Sequence, residues 1–297
     1  MRNIAMVISA SSTMAYFALA TIEVCAQEVT VDDVIHMWSE RESATKTAAF
    51  HWIETVTVRG DLKRADLSGV GAKKLDCILQ VGDGANMRFE SIPVKNPLEP
   101  GVSLTRTGLK ASAFNGKRST YYTAAIDSKD HHRGIEFDAE IYDEIVNYQL
   151  RPVILCYRPL LVVQSQFSSV ESRIVRHETK LRIIDRDVTL DGTPCLLIES
   201  SSVTPTDAVT HYWVDVARPG LILKWVETVS GRPSVEMTIN YKDDALNGWV
   251  PTSWHGRFLN NSISSSVIDF TVNNEIASDI FGFAYPAQTV VFDRDLS

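Results

Sequence analysis

The chain has 297 residues, with 29 Lys and Arg against 37 Asp and Glu and 44% apolar residues. It is large enough for a sizeable core and too apolar to be wholly disordered. A net charge of −8 with no run of Lys or Arg argues against nucleic acid as a partner, because non-specific binding there needs clustered cations to neutralise phosphates.

The opening segment carries Arg2, an uncharged stretch from Ile4 to Ile22, and the ending Val24-Cys25-Ala26. This is the make-up of a secretory signal, with cleavage predicted between Ala26 and Gln27. Residues 1–26 are therefore assigned as signal peptide and 27–297 as a single domain, periplasmic or secreted. The alternative is an uncleaved anchor, since nineteen uncharged residues just span a bilayer at about 1.5 Å each. Five Ser and Thr within the stretch and the cleavage site favour removal, which leaves no stable membrane span in the mature chain. Lipidation at Cys25 is disfavoured by Ile22-Glu23-Val24, which puts an acidic residue where small ones are wanted. Cys77, Cys156 and Cys195 remain after cleavage. In an oxidising compartment this odd number allows one disulfide and one thiol, with the pairing open, and their spacing matches no zinc, thioredoxin-type or haem motif. A structural role is expected of them.

Thr30-Val31-Asp32-Asp33 offers a hydroxyl cap with an acid three positions on, so a helix is predicted from about 31 to 48. The period then changes to two: Phe50, Trp52, Val56 and Val58 alternate with His51, Ile53, Thr55 and Thr57, as in a half-buried strand. Strands follow at 75–81 and 86–92, joined by Gly82-Asp83-Gly84, and Asn115-Gly116 makes a second hairpin turn before a strand over 119–125. Residues 93–108 between them read as a loop. A second helix is predicted near 136–150, where Phe137, Ile141, Ile145 and Tyr148 share one side and Pro152 ends the pattern. The apolar run 153–163, interrupted by Pro159, is left unassigned. From Glu178 onward strands and short turns alternate: 180–190, 195–202, 211–215, 221–229, 234–241, 249–259 and 264–273. Turns this short favour antiparallel neighbours. A last β-rich stretch is Thr289-Val290-Val291-Phe292.

The order of these elements resembles the LolA-like superfamily, which includes periplasmic lipoprotein carriers and a related anti-sigma-factor regulator. The resemblance runs over most of the mature chain. It rests on the N-terminal helix and first strand, and on His211-Tyr212-Trp213-Val214-Asp215 leading through Pro219-Gly220 to Leu221-Ile222-Leu223-Lys224. The strand 234–241 after Gly231 and the closing Phe281-Gly282-Phe283-Ala284-Tyr285-Pro286 with Thr289-Val290-Val291 also carry it. It implies an α+β fold: a strongly curved antiparallel sheet, an open half-barrel, with helices covering the concave face. It also implies an exported, non-enzymatic binding or carrier protein for a hydrophobic ligand, such as a lipid or lipoprotein acyl chain, with no cofactor. The chain departs from a typical carrier in its extra material around 95–112 and 136–170. The carrier's functional arginine has two candidate positions, Arg59 and Arg88.

A sheet that curves without closing has an inner surface to be covered by helices or filled by an apolar guest. Trp52, Phe89, Trp213, Trp225 and Phe270 are the candidate ligand-binding residues; the alternative is that they are ordinary core aromatics. Other classes find little footing. Of the seven histidines, only His131-His132 are adjacent, and a solvated turn accounts for them better than a metal site. The sequence lacks His-Glu-x-x-His, Gly-x-Ser-x-Gly, a phosphate loop and a dinucleotide fingerprint. The acidic clusters Asp185-Arg186-Asp187 and Asp243-Asp244 are expected at strand ends or turns, where charge is solvated. A hydrolase assembled from distant carboxylates is the less favoured alternative, and a cell-envelope interaction or sensor module with a protein partner is the main one.

Overall fold

The computed structural model describes residues 28–58, 72–94, 109–124, 132–139, 148–170, 173–202, 208–282, 284–287 and 289–296. The expected signal segment, most of the predicted 93–108 loop, Arg59 and His131 lie outside them.

Helix α1 (Val31–Ala44) starts where the sequence placed it. The Thr30 hydroxyl accepts from the Asp33 amide while the Asp33 carboxylate accepts from the Thr30 amide, a reciprocal capping box. Six strands then form an antiparallel meander: β1 (Ala48–Val58), β2 (Ala72–Val81), β3 (Met87–Pro93), β4 (Lys110–Phe114), β5 (Arg118–Ala124) and β6 (His132–Asp138). Two short helices follow, α2 (Arg151–Tyr157) and α3 (Pro159–Val163). A second meander runs through β7 (Ser165–Val170), β8 (Arg173–Leu190), β9 (Thr193–Ser202), β10 (Ala208–Asp215), β11 (Leu221–Val229), β12 (Arg232–Asp244), β13 (Gly248–Phe258) and β14 (Asn261–Val272). The last strand is β15 (Val290–Asp293).

One hydrogen-bonded sheet results, in the order β15-β6-β5-β4-β3-β2-β1-β14-β13-β12-β11-β10-β9-β8-β7. Its edges, β15 and β7, do not meet, so the sheet is not closed. All pairings are antiparallel except that of β15 with β6, which is parallel. The two meanders are sewn together by β1 against β14, from Ala48 opposite Val272 to Val58 opposite Asn261. Fifteen strands are more than an open twisted sheet carries without curling. Bulges at His51/Trp52, Trp213/Val214, Glu227/Thr228 and Asn240/Tyr241 provide the local bends.

The topology places α2 and α3. They lie in the connection between β6, near one end of the strand order, and β7 at the other. Their side chains enter the main core: Val153, Ile154, Leu155, Cys156, Tyr157 and Val163 are buried together with Trp52, Trp225 and Trp254 of the strands.

Several expectations need correction. The helix predicted near 136–150 gives way to strand: Glu136, Phe137 and Asp138 belong to β6, and 140–147 lie outside the described residues. The edge of β5 needed a hydrogen-bonding partner, and Phe137 stacks on Tyr121 of that strand with ring centroids 6.0 Å apart. The helices form instead in the unassigned run, where Pro152 and Pro159 each occupy a first helical turn and so lose no hydrogen bond. His132 lies in β6, half-buried, with its Nδ1 against the Tyr122 hydroxyl, rather than in a solvated turn. Asp185 to Asp187 sit within β8 at an irregularity of its pairing with β9, not at its end. All three described cysteines are free and buried, so the allowed disulfide is not made. Among the described residues, no helix is long and apolar enough to cross a membrane.

Candidate ligand-binding face

Strand β1 sits near the middle of the sheet, and its alternation sets up the inner face. Phe50, Trp52 and Glu54 are buried while His51 and Ile53 are partly exposed. Register carries the row outward: Glu54 stands opposite Leu75 of β2 and Ser265 of β14, and Ser265 stands opposite Trp254 of β13. Trp254 in turn faces Ile239 of β12. Trp52 stacks on Phe89 at 5.9 Å and meets Trp254 edge-on at 5.3 Å.

Of the aromatics singled out by sequence, Trp52, Phe89 and Trp225 are buried in this core, and Phe270 packs half-buried at its margin. Phe270 stacks on Phe50 at 5.8 Å and has the Lys242 ammonium 4.8 Å above its ring. Trp213 is not brought together with them. It joins a smaller cluster with Cys195, Leu221 and Leu223, and the Lys224 ammonium lies 5.1 Å over its ring. The cause is alternation: Tyr212 and Val214, its neighbours in β10, are the residues that reach the main core.

The three helices are locked to one another by their ends. Arg41 of α1 donates to the Cys156 carbonyl at the end of α2, and Glu42 accepts from the Leu160 and Leu161 amides at the start of α3. Both charges oppose the helix dipole they face. Trp38 ties α1 to the sheet by donating to the Gly220 carbonyl at 2.7 Å. Arg151 fixes the start of α2 on Glu227 of β11 at 2.6 Å.

Glu54 is the residue that sequence reading passed over. It is fully buried, accepts from Gln149 Nε2 at 2.6 Å, and has the Ser265 hydroxyl 3.5 Å away. Burial pushes its carboxyl up to about 7, against the pull of Gln149, Ser265 and Trp52 and the nearby Lys73. Gln149 immediately precedes the Leu150 cap of α2, so this contact also fastens the helical segment to the central strand. The signal was present: position 54 falls on the same face as Phe50, Trp52 and Val56. Arg88, a candidate for the carrier arginine, pairs with Glu90 and donates to the Ile280 carbonyl at 2.9 Å. Among the described residues, no three His, Cys, Asp or Glu side chains gather into a metal-binding group. The arrangement is a packed apolar core with one titratable group, Glu54, set into it.

No family model matches the sequence, and no curated protein matches it. Solved structures do match. A domain of an outer membrane lipoprotein-sorting protein from Vibrio parahaemolyticus superposes with a TM-score of 0.50 at 10% identity, over 84% of this chain and 95% of that one. In fold, the chain is similar to that domain. A protein of the DUF1329 family from Desulfovibrio piger matches with a TM-score of 0.45 at 8% identity, over 84% of this chain and 94% of that one. The likeness to the lipoprotein-sorting domain is one of fold at 10% identity; alternation and turn placement tolerate wholesale exchange of side chains.

Proposed function

We propose that this chain is an exported, non-enzymatic binding or carrier protein. It accommodates a hydrophobic ligand, such as a lipid or a lipoprotein acyl chain, between the inner face of the sheet and a helical cover formed by α2 and α3. Export with cleavage between Ala26 and Gln27, and a single domain over 27–297, belong to the same reading. The observation that supports it is the shortness of these two helices. Helices of seven and five residues have no stability of their own in water; packing of their apolar side chains on the sheet holds them in place. An acyl chain offers about 0.8 kcal/mol per buried methylene, so a guest of ordinary length can replace the packing that the cover gives up. Loading then shifts the cover outward, and release follows where an acceptor favours the closed form.

Purification of the full chain from its own host, followed by native mass spectrometry and lipid extraction, is expected to find a bound amphiphile. A chain that carries none, and takes up none when offered lipid, would overturn the proposal.

A second reading, an envelope module with a protein partner, is favoured by β15. Beyond its pairing with β6, this strand is an open edge among the described residues, on which Val290, Val291 and Phe292 are 57%, 42% and 55% exposed, and such an edge accepts a partner strand. Protection of the β15 amides from exchange on partner binding would distinguish it.

A further inference from the structure

On the inner face, the indole N–H groups of Trp52, Trp225 and Trp254 have no hydrogen-bond acceptor among the described residues, and these side chains are at most 1% exposed. Indole nitrogen is a donor only, and native proteins leave few buried donors unpaired, because each then forfeits its bond to water. Two of the three belong to one small patch. Trp52 and Trp254 touch edge-on, and Trp52 lies close enough to Glu54 to help hold its carboxyl down. Ser265 stands in register between Glu54 and Trp254. Lys73 and Cys77 from β2, and Tyr148 and Gln149 ahead of α2, are the other polar groups facing Glu54. Unsatisfied indole donors on β1, β13 and β11 and one carboxyl on β1 are therefore set into this face.

We infer that this patch reads the polar end of the guest: Trp52 and Trp254, with Trp225 two strands beyond Trp254, donate to uncharged acceptor oxygens, while Glu54 turns away a second carboxylate. The ligand class is an uncharged amphiphile with carbonyl or ester oxygens, as opposed to a plain hydrocarbon or a free fatty acid. This rests on the carrier reading, since the cover must move to admit the guest. A hydrocarbon leaves the indole donors as they are. An ester carbonyl satisfies them in surroundings where no water competes. A carboxylate also offers acceptors, but two ionised carboxyls at close range repel.

The test uses the full mature chain at about pH 8 with three probes of similar length: methyl dodecanoate, dodecanoic acid and tetradecane, followed by tryptophan emission. The ester is expected to bind roughly tenfold more tightly than the alkane, the worth of one well-placed hydrogen bond, and more tightly than the acid. Trp254→Phe keeps the ring and removes the donor; it should bring the ester-to-alkane ratio down several-fold. Glu54→Gln should narrow the gap between ester and acid. Circular dichroism confirms that each variant folds, and Trp225→Phe provides the second donor test if one does not. An ester that binds no better than the alkane, or ratios that both variants leave unchanged, overturns the inference while leaving the carrier reading intact. Failure of all three probes to bind overturns both.

Discussion

A carboxyl at position 54 sits where the alternation of β1 calls for an apolar side chain, between Trp52 and Val56. With no exposed surface and a carboxyl raised to about 7, Glu54 is a cost to the fold at neutral pH and above. Below about pH 4.5 both folded and unfolded chains hold the proton and the residue is neutral in the balance. As pH rises from there to about 7, the unfolded chain releases its proton while the folded chain keeps it, so stability falls; above 7 the loss is constant. Glu54→Gln, which preserves an acceptor for Gln149, should therefore stabilise the protein at about pH 8 by on the order of 3 kcal/mol and by almost nothing at about pH 4. Urea unfolding at the two pH values measures this, and an equal effect at both would contradict it. The buried thiols behave differently: burial pushes Cys156 up to about 11, so it stays a protonated, apolar filler.

At the level of elements, the pairing of β12 with β13 depends on a glycine whose space is already taken. A Cβ on Gly256 would overlap the Glu236 carbonyl oxygen and crowd the Met237 backbone, neither of which is a flexible side-chain end. Gly231, at the β11–β12 turn, needs its positive φ of 73° but has nothing within 4 Å of a Cβ. Gly231→Ala should cost only the backbone strain, about 1–2 kcal/mol. Gly256→Ala must separate two strands in the middle of the sheet, and a larger loss is expected, with thermal unfolding as the measurement. If the two variants melt alike, the close approach of β13 to β12 is not a constraint. The short helices depend on context in the same way, held by Arg41, Glu42 and Trp38 of α1.

Over the whole molecule, the strand pairing that joins the two meanders among the described residues is β1 with β14, more than two hundred residues apart in the chain. Such a seam is expected to close late in folding, because its loop-closure entropy must be met before its contacts form. The C-terminal end closes on the other half through Arg118, which meets Glu136 and Asp138 of β6 and Asp293 and Asp295 of the terminal segment. Four carboxylates around one guanidinium repel one another once it is gone. Arg118→Ala is accordingly expected to release β15, with loss of amide protection over 290–293 in hydrogen exchange and unchanged protection in β1. Protection retained at 290–293 would mean that the four-residue parallel pairing suffices.

Much of this architecture was legible in the chain. The capping box at Thr30 and Asp33 began α1 where expected, and the two-residue period gave β1, β2, β3 and most of the strands of the second meander, since alternation and turn chemistry act within a few residues. The order of those strands also carried the LolA-like resemblance. Tertiary structure alone decided the rest. Residues 136–138 have a helical spacing but became strand because β5 needed a partner. Trp213 and Trp225 look equally apolar in sequence, yet register puts them in different clusters. Glu54 is an ordinary polar residue until two neighbouring strands and the approach to α2 close around it. Local patterning fixes what each segment can be, whereas burial and strand pairing are settled between residues far apart in the chain, and they determine which side chains face the interior.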